Sequence, residues 1–142
     1  GTHRTTGPAE TEALAARVAA ALQPGDAVLL SGELGTGKTT FVRAAAHALG
    51  VRGAVTSPTF TIGRRYEGTV PVAHLDLYRL ADVEGEDPAL LADYLGPDRV
   101  AFIEWPEAAA PAVAAAGMRV RARIRLAHAG GDIREITVEP GA

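Results

Sequence analysis

Residues 27–50 carry the strongest constraint on the fold. A short apolar run of the buried-strand kind, Ala27-Val28-Leu29-Leu30, leads into Gly32-Glu-Leu-Gly-Thr-Gly37-Lys38-Thr39. Residues 39–49 then follow at helical spacing and stop at Gly50, a common helix end. Strand, glycine loop and helix in succession open a βαβ unit. The loop fits GxxxxGK[ST], whose glycines let backbone amides turn inward around an anion while the following helix adds its positive end. Lys38 can reach β- and γ-phosphates, and the Thr39 hydroxyl can ligate magnesium. A glycine-rich turn arising by chance is the alternative, and the flanking strand and helix patterns weigh against it. Of fourteen lysine and arginine side chains, Lys38 is the one lysine. The broad fork of arginine does not replace a compact ammonium inside a phosphate cradle.

The rest of the chain supplies strands and helices in alternation. Residues 10–22 read as an amphipathic helix, with Leu14, Val18 and Leu22 on one side and Pro24-Gly25 after it. Residues 59–66 and 70–78 read as strands around Glu67-Gly68. In the second, Ala73, Leu75 and Leu77 alternate with His74, Asp76 and Tyr78, which predicts one apolar and one polar face. Residues 87–94 read as a short helix and 100–103 as a fully apolar strand. Residues 119–126 and 133–138 alternate like a hairpin around Gly130-Gly131. The expected fold is α/β: a P-loop NTPase-like three-layer sandwich whose central sheet is mainly parallel, with antiparallel C-terminal strands. At 142 residues the expectation is a single domain over 1–142. The opening Gly-Thr-His carries no structural weight, and residues 1–7 are expected to be disordered or foreign to the native chain.

A phosphate loop of this kind needs an acidic residue at the end of a neighbouring buried strand, to hold magnesium directly or through water. Glu104 ends the apolar run Val100-Ala-Phe-Ile and fits; burying a carboxylate there is costly unless it is paired or metal-bound. An exposed glutamate just past the strand is the plainer reading. Asp76 could orient water or contact magnesium from the other side, or could sit on a solvated strand face. His74 reads as a structural histidine without an assigned role. The hydroxyls of SPTF (57–60) suit a γ-phosphate-sensing loop or an ordinary turn.

Composition removes several function classes. The hydrophobic and charged fractions, 47% and 22%, are those of a soluble globular protein. Without cysteine there are no disulfides or thiolate metal sites, and no apolar run is long enough to span a membrane, so a cytoplasmic protein is expected. A net charge of −3 argues against a broad sequence-independent nucleic-acid surface. With no asparagine, and its one lysine in the phosphate loop, the chain cannot hold the Asn-Lys-x-Asp motif that reads guanine, which points to ATP. A small-molecule kinase would need an acceptor pocket and an arginine-bearing lid. Arg79 and Arg99 are available, but no lid insertion is visible.

GELGTGKTTFVRAAAHALG (32–50), SPTF (57–60), HLDLYRL (74–80) and IEWPE (103–107) together resemble the TsaE family, the bacterial ATPases of tRNA threonylcarbamoyladenosine synthesis. The resemblance spans roughly residues 11–107; the C-terminal hairpin matches in outline. It implies an ATPase working with TsaB and TsaD, a complex that places threonylcarbamoyl on the adenosine beside the anticodon. tRNA is then met through the complex. The implied cofactors are ATP and magnesium, with Thr39 and Glu104 as metal ligands and Lys38, Asp76 and Glu104 as the catalytic set. Nucleotide contacts carried over are Thr11, Leu34, Gly35, Thr36, Gly37, Lys38, Thr39, Thr40, Trp105 and Arg134. A free-standing P-loop kinase for a small metabolite stays as the alternative, and a nucleotide-sensing adaptor as a third reading.

Overall fold

The computed structural model describes residues 1–33, 35–55, 63–77, 89–104 and 110–141. Among these residues eleven elements follow in chain order: β1 (Thr2–Thr5), α1 (Pro8–Ala19), β2 (Asp26–Gly32), α2 (Lys38–Ala48), β3 (Gly63–Tyr66), β4 (Val72–Asp76), α3 (Ala89–Ala92), β5 (Val100–Glu104), α4 (Ala110–Ala115), β6 (Arg119–His128) and β7 (Arg134–Pro140). The seven strands form one mixed sheet in the order β1-β7-β6-β2-β5-β4-β3. The four middle strands, β6, β2, β5 and β4, run parallel, while β3, β7 and β1 are antiparallel additions at the edges.

Burial explains why β2 is an uninterrupted apolar run. Val28 and Leu30 face one core with α1 and α2, whereas Ala27 and Leu29 face a second core with Leu91, Leu95, Val113 and Met118. A strand covered on both faces has no polar side to show. The α2 residues Phe41, Val42, Ala45 and Ala46 are buried at helical spacing, as are Leu14, Ala15 and Ala19 of α1. Asp26 starts β2 wholly buried, accepting from the Gln23 backbone N–H at 2.8 Å and from Arg119 Nε at 2.5 Å. Those bonds offset the cost of taking its charge out of water and fix β2 against β6.

Three expectations need correction. Residues 1–7 are not simply a disordered start: Thr2–Thr5 pair with β7 from Thr2↔Thr137 to Thr5↔Arg134. The buried Thr5 hydroxyl meets that of Thr11 at 3.0 Å, tying β1 to α1. Second, β4 has no solvated polar face. His74 is fully buried and Asp76 half-buried, because β4 lies between β5 and β3 with α2's core on that side. Third, β6 is more than one arm of a hairpin. It also runs parallel to β2, through a register shift at Ala27/Val28, and so lies inside the sheet.

Candidate phosphate-binding site

The parallel strands bring their C-terminal ends to one edge. In register, Leu30 of β2 stands beside Glu104 of β5, and Glu104 beside Asp76 of β4. Ligands of open α/β sheets collect at such an edge. Two residues past Leu30 the chain enters the glycine loop. Gly32 has φ +144, and a Cβ there would collide with the Leu126 carbonyl oxygen, so the loop's first position admits only glycine. Gly37, at φ +98, is the N-cap of α2. Its N-cap has no side chain to close the helix end and its first turn has no acidic residue, which suits that positive end to an anion.

Lys38 opens α2 and is folded back under the loop. Its ammonium donates to the carbonyls of Gly32 at 2.5 Å and Glu33 at 3.0 Å, and the residue is 5% exposed. Burial pushes its pKa below that of an ordinary lysine, and the carboxylates of Glu104 and Asp76 pull in the opposite direction. The Thr36 hydroxyl donates to Glu33 O at 2.7 Å and closes the loop from within. Thr39 and Thr40, in the first turn of α2, are half-buried.

Glu104 is 3% exposed, and its Oε2 lies 2.5 Å from His74 Nε2. The plain reading of Glu104 as an exposed residue beyond the strand is therefore wrong, and so is the reading of Asp76 as part of a solvated face. Among the described residues no group of three or more His, Asp or Glu side chains could by itself cage a metal. Magnesium does not need one. It takes one or two carboxylates, substrate phosphates and waters. A hydroxyl at the head of α2 and a buried carboxylate at the adjoining strand end fit that ligand set.

Beside the loop lies a cleft of about 170 Å³, lined by Gly7, Pro8, Thr11, Gly35, Thr36, Gly37, Thr40, Asp132 and Arg134. It gathers Thr11 from α1, the loop, the head of α2 and Arg134 from β7. Arg134 donates to Gly131 O at 2.6 Å, Ile133 O at 3.0 Å and Gly35 O at 3.4 Å, linking the hairpin to the phosphate loop. Its volume is below the roughly 300–1,000 Å³ of whole-ligand pockets, so it suits one end of a longer ligand. Sequence reasoning missed Gly7, Pro8 and Asp132, whose only signal was adjacency to Thr11 and Arg134. It also gave no role to His74, which the structure buries in β4 against Glu104. Leu34, Trp105 and residues 57–60 lie outside the described residues.

A glycine loop between a parallel strand and a helix, with a buried lysine beneath it and acidic strand ends beside it, defines a protein of the P-loop type. A family profile described as threonylcarbamoyl adenosine biosynthesis protein TsaE matches residues 5–136. The chain belongs to the TsaE family. It is 42% identical over 135 residues to the tRNA threonylcarbamoyladenosine biosynthesis protein TsaE of Bacillus subtilis, covering 94% of this chain and 82% of that one. The protein of the same name from Streptomyces coelicolor is 40% identical over 128 residues, covering 88% and 86%. In structure the chain resembles crystalline Bacillus subtilis YdiB with a TM-score of 0.76, at 35% identity, over 100% of this chain and 86% of that one.

Proposed function

We propose that this chain is a magnesium-dependent ATPase required for threonylcarbamoylation of tRNA adenosine next to the anticodon, acting with TsaB and TsaD. Its family membership supports the pathway. One structural observation supports the chemistry: Glu104 and Asp76 end neighbouring strands at the same sheet edge from which the glycine loop leads into Lys38 and α2. On this reading the loop amides and Lys38 hold the phosphates, while Thr39 and Glu104 hold magnesium. Thr11, Leu34, Gly35, Thr36, Gly37, Thr40, Trp105 and Arg134 contact the nucleotide, with the Thr11–Arg134 cleft taking its adenine end. A magnesium ion held by Thr39 and Glu104 would supply charge neutralisation at the phosphates. Asp76 is the carboxylate placed to orient an attacking water and accept its proton. Residues 1–142 act as one P-loop domain with helices over both sheet faces, in the cytoplasm.

Catalysis in such sites is mostly positioning and charge stabilisation. The one glutamine, Gln23, lies before β2 and away from the loop, so no glutamine orients the water. Hydrolysis by the isolated chain is accordingly very slow and rises on docking to TsaB–TsaD. ATPase rates measured with each partner present or absent test the reading. Fast hydrolysis without partners, or phosphate transfer to a small acceptor, would instead establish the kinase alternative.

A further inference from the structure

His74 is fully buried in β4, two residues before Asp76, and its Nε2 reaches Glu104 Oε2 on the neighbouring strand. Its other ring nitrogen, Nδ1, is buried and has no hydrogen-bond partner among the described residues. A histidine placed only for packing gains nothing over an apolar side chain here, since it leaves one buried nitrogen unsatisfied. What the imidazole does contribute is one directed bond to the carboxylate expected to hold magnesium. An ionised carboxylate only accepts, so in this contact Nε2–H is the donor.

We propose that His74 is a positioning residue for the metal: its Nε2–H fixes the Glu104 carboxylate in one rotamer and leaves the second oxygen for magnesium or a magnesium-bound water. The proposal rests on the assignment of Glu104 as a metal ligand. The geometry gives that role a physical reason. Glu104 sits at the end of its strand, where a carboxylate with rotatable torsions would otherwise lose entropy on gripping the ion. Hydrogen bonds that orient metal-binding carboxylates typically matter by about 10–100-fold in metal affinity.

The test compares ATP affinity with magnesium and with EDTA, by calorimetry, for the wild type, His74→Leu, His74→Gln and Glu104→Ala. His74→Leu is expected to keep its metal-free ATP affinity and to lose about 10–100-fold of the gain from magnesium. His74→Gln, which still presents an N–H donor, recovers part of that gain. A folded His74→Leu protein with the full magnesium gain overturns the positioning role. A full gain in Glu104→Ala, or no gain in the wild type, overturns the metal assignment itself, so the two failures are distinguishable. A readout free of mutation comes from nitrogen-15 spectra of the wild type. His74 should carry a proton at Nε2, with an Nε2–H resonance that shifts on adding magnesium to the ATP complex. The opposite tautomer, or a resonance indifferent to magnesium, overturns the proposal even where His74→Leu fails to fold.

Discussion

Asp76 stands directly opposite Glu104 across the parallel pair β4–β5, each as the last residue of its strand. Adjacent strands lie about 4.8 Å apart, so two carboxylates this close repel unless a cation lies between or beside them. Within the protein that cation is Lys38, whose ammonium both carboxylates stabilise. The two acids differ in environment: Glu104 is buried against His74, while Asp76 is half-open. On the proposed reading that difference divides their roles, Glu104 toward the metal and Asp76 toward the water.

Asp76→Asn should retain ATP binding and lose the partner-stimulated ATPase rate by about 10²–10⁴-fold, the usual worth of a positioned base. Glu104→Ala should instead lose the magnesium-dependent part of ATP binding. Calorimetry with and without EDTA, beside steady-state rates with TsaB–TsaD, checks both. Equal losses in binding for the two variants would refute the division.

Lys38→Ala should leave the far-ultraviolet circular dichroism unchanged, because glycines and the Thr36–Glu33 bond shape the loop. Its ATP affinity should fall by at least about 10²-fold, since hydrogen bonds to charged groups are worth about 1.5–3 kcal/mol each and the ammonium can make several. Retained affinity in a folded variant would remove the phosphate loop from the reading.

Arg134→Ala tests the cleft. Arg134 braces Gly35 and lines the end of the site away from Glu104. Affinity for ATP should drop about tenfold, as for one lost charge-assisted bond, while affinity for tripolyphosphate should change less. An equal loss for both ligands would mean that Arg134 acts only by bracing the loop.

Asp26→Ala removes a buried carboxylate that serves the Gln23 amide and Arg119. Urea unfolding should show a loss of about 1–3 kcal/mol, dominated by the orphaned backbone N–H, because Arg119 itself is 60% exposed and can turn to water. ATP affinity of the folded variant should be unchanged.

Binding of tRNA to the chain alone should be weak and strongly salt-dependent, with recognition carried mainly by TsaB–TsaD. Fluorescence anisotropy with labelled tRNA at two salt concentrations measures it. Tight binding that survives raised salt would place recognition in this chain.

The phosphate loop was readable because its information is local: eight residues, an apolar strand before them and a helix after them. The same locality made β5 and Glu104 readable. The covering of β4 was not legible because alternation in residues 73–76 looks like a half-exposed strand, and only the sheet order shows that both faces are covered. β1 escaped notice because Thr2, His3 and Arg4 are exposed and have no hydrophobic period; its order comes from backbone pairing with residues more than a hundred positions away. The antiparallel partner of β6 was visible in the hairpin, but its parallel contact with β2 has no signature in either strand. Thr11 and Arg134 were reached through family resemblance alone. Their meeting in one cleft depends on β1, β7 and α1 being assembled together.

The position of β6 beside β2 also sets the order in which the chain can fold as it is made. The strand that leads into the phosphate loop has its two neighbours, β5 and β6, encoded beyond residues 100 and 119. While a ribosome is still adding that stretch, Val28, Leu29 and Leu30 belong to a strand with both edges unpaired, the kind of segment that seeks stray partners. Closing the sheet around β2 is therefore a late, long-range event. A nascent chain stalled before residue 119 would carry the whole GxxxxGKT sequence and still hold no nucleotide, and it is at this stage that a chaperone would be needed most.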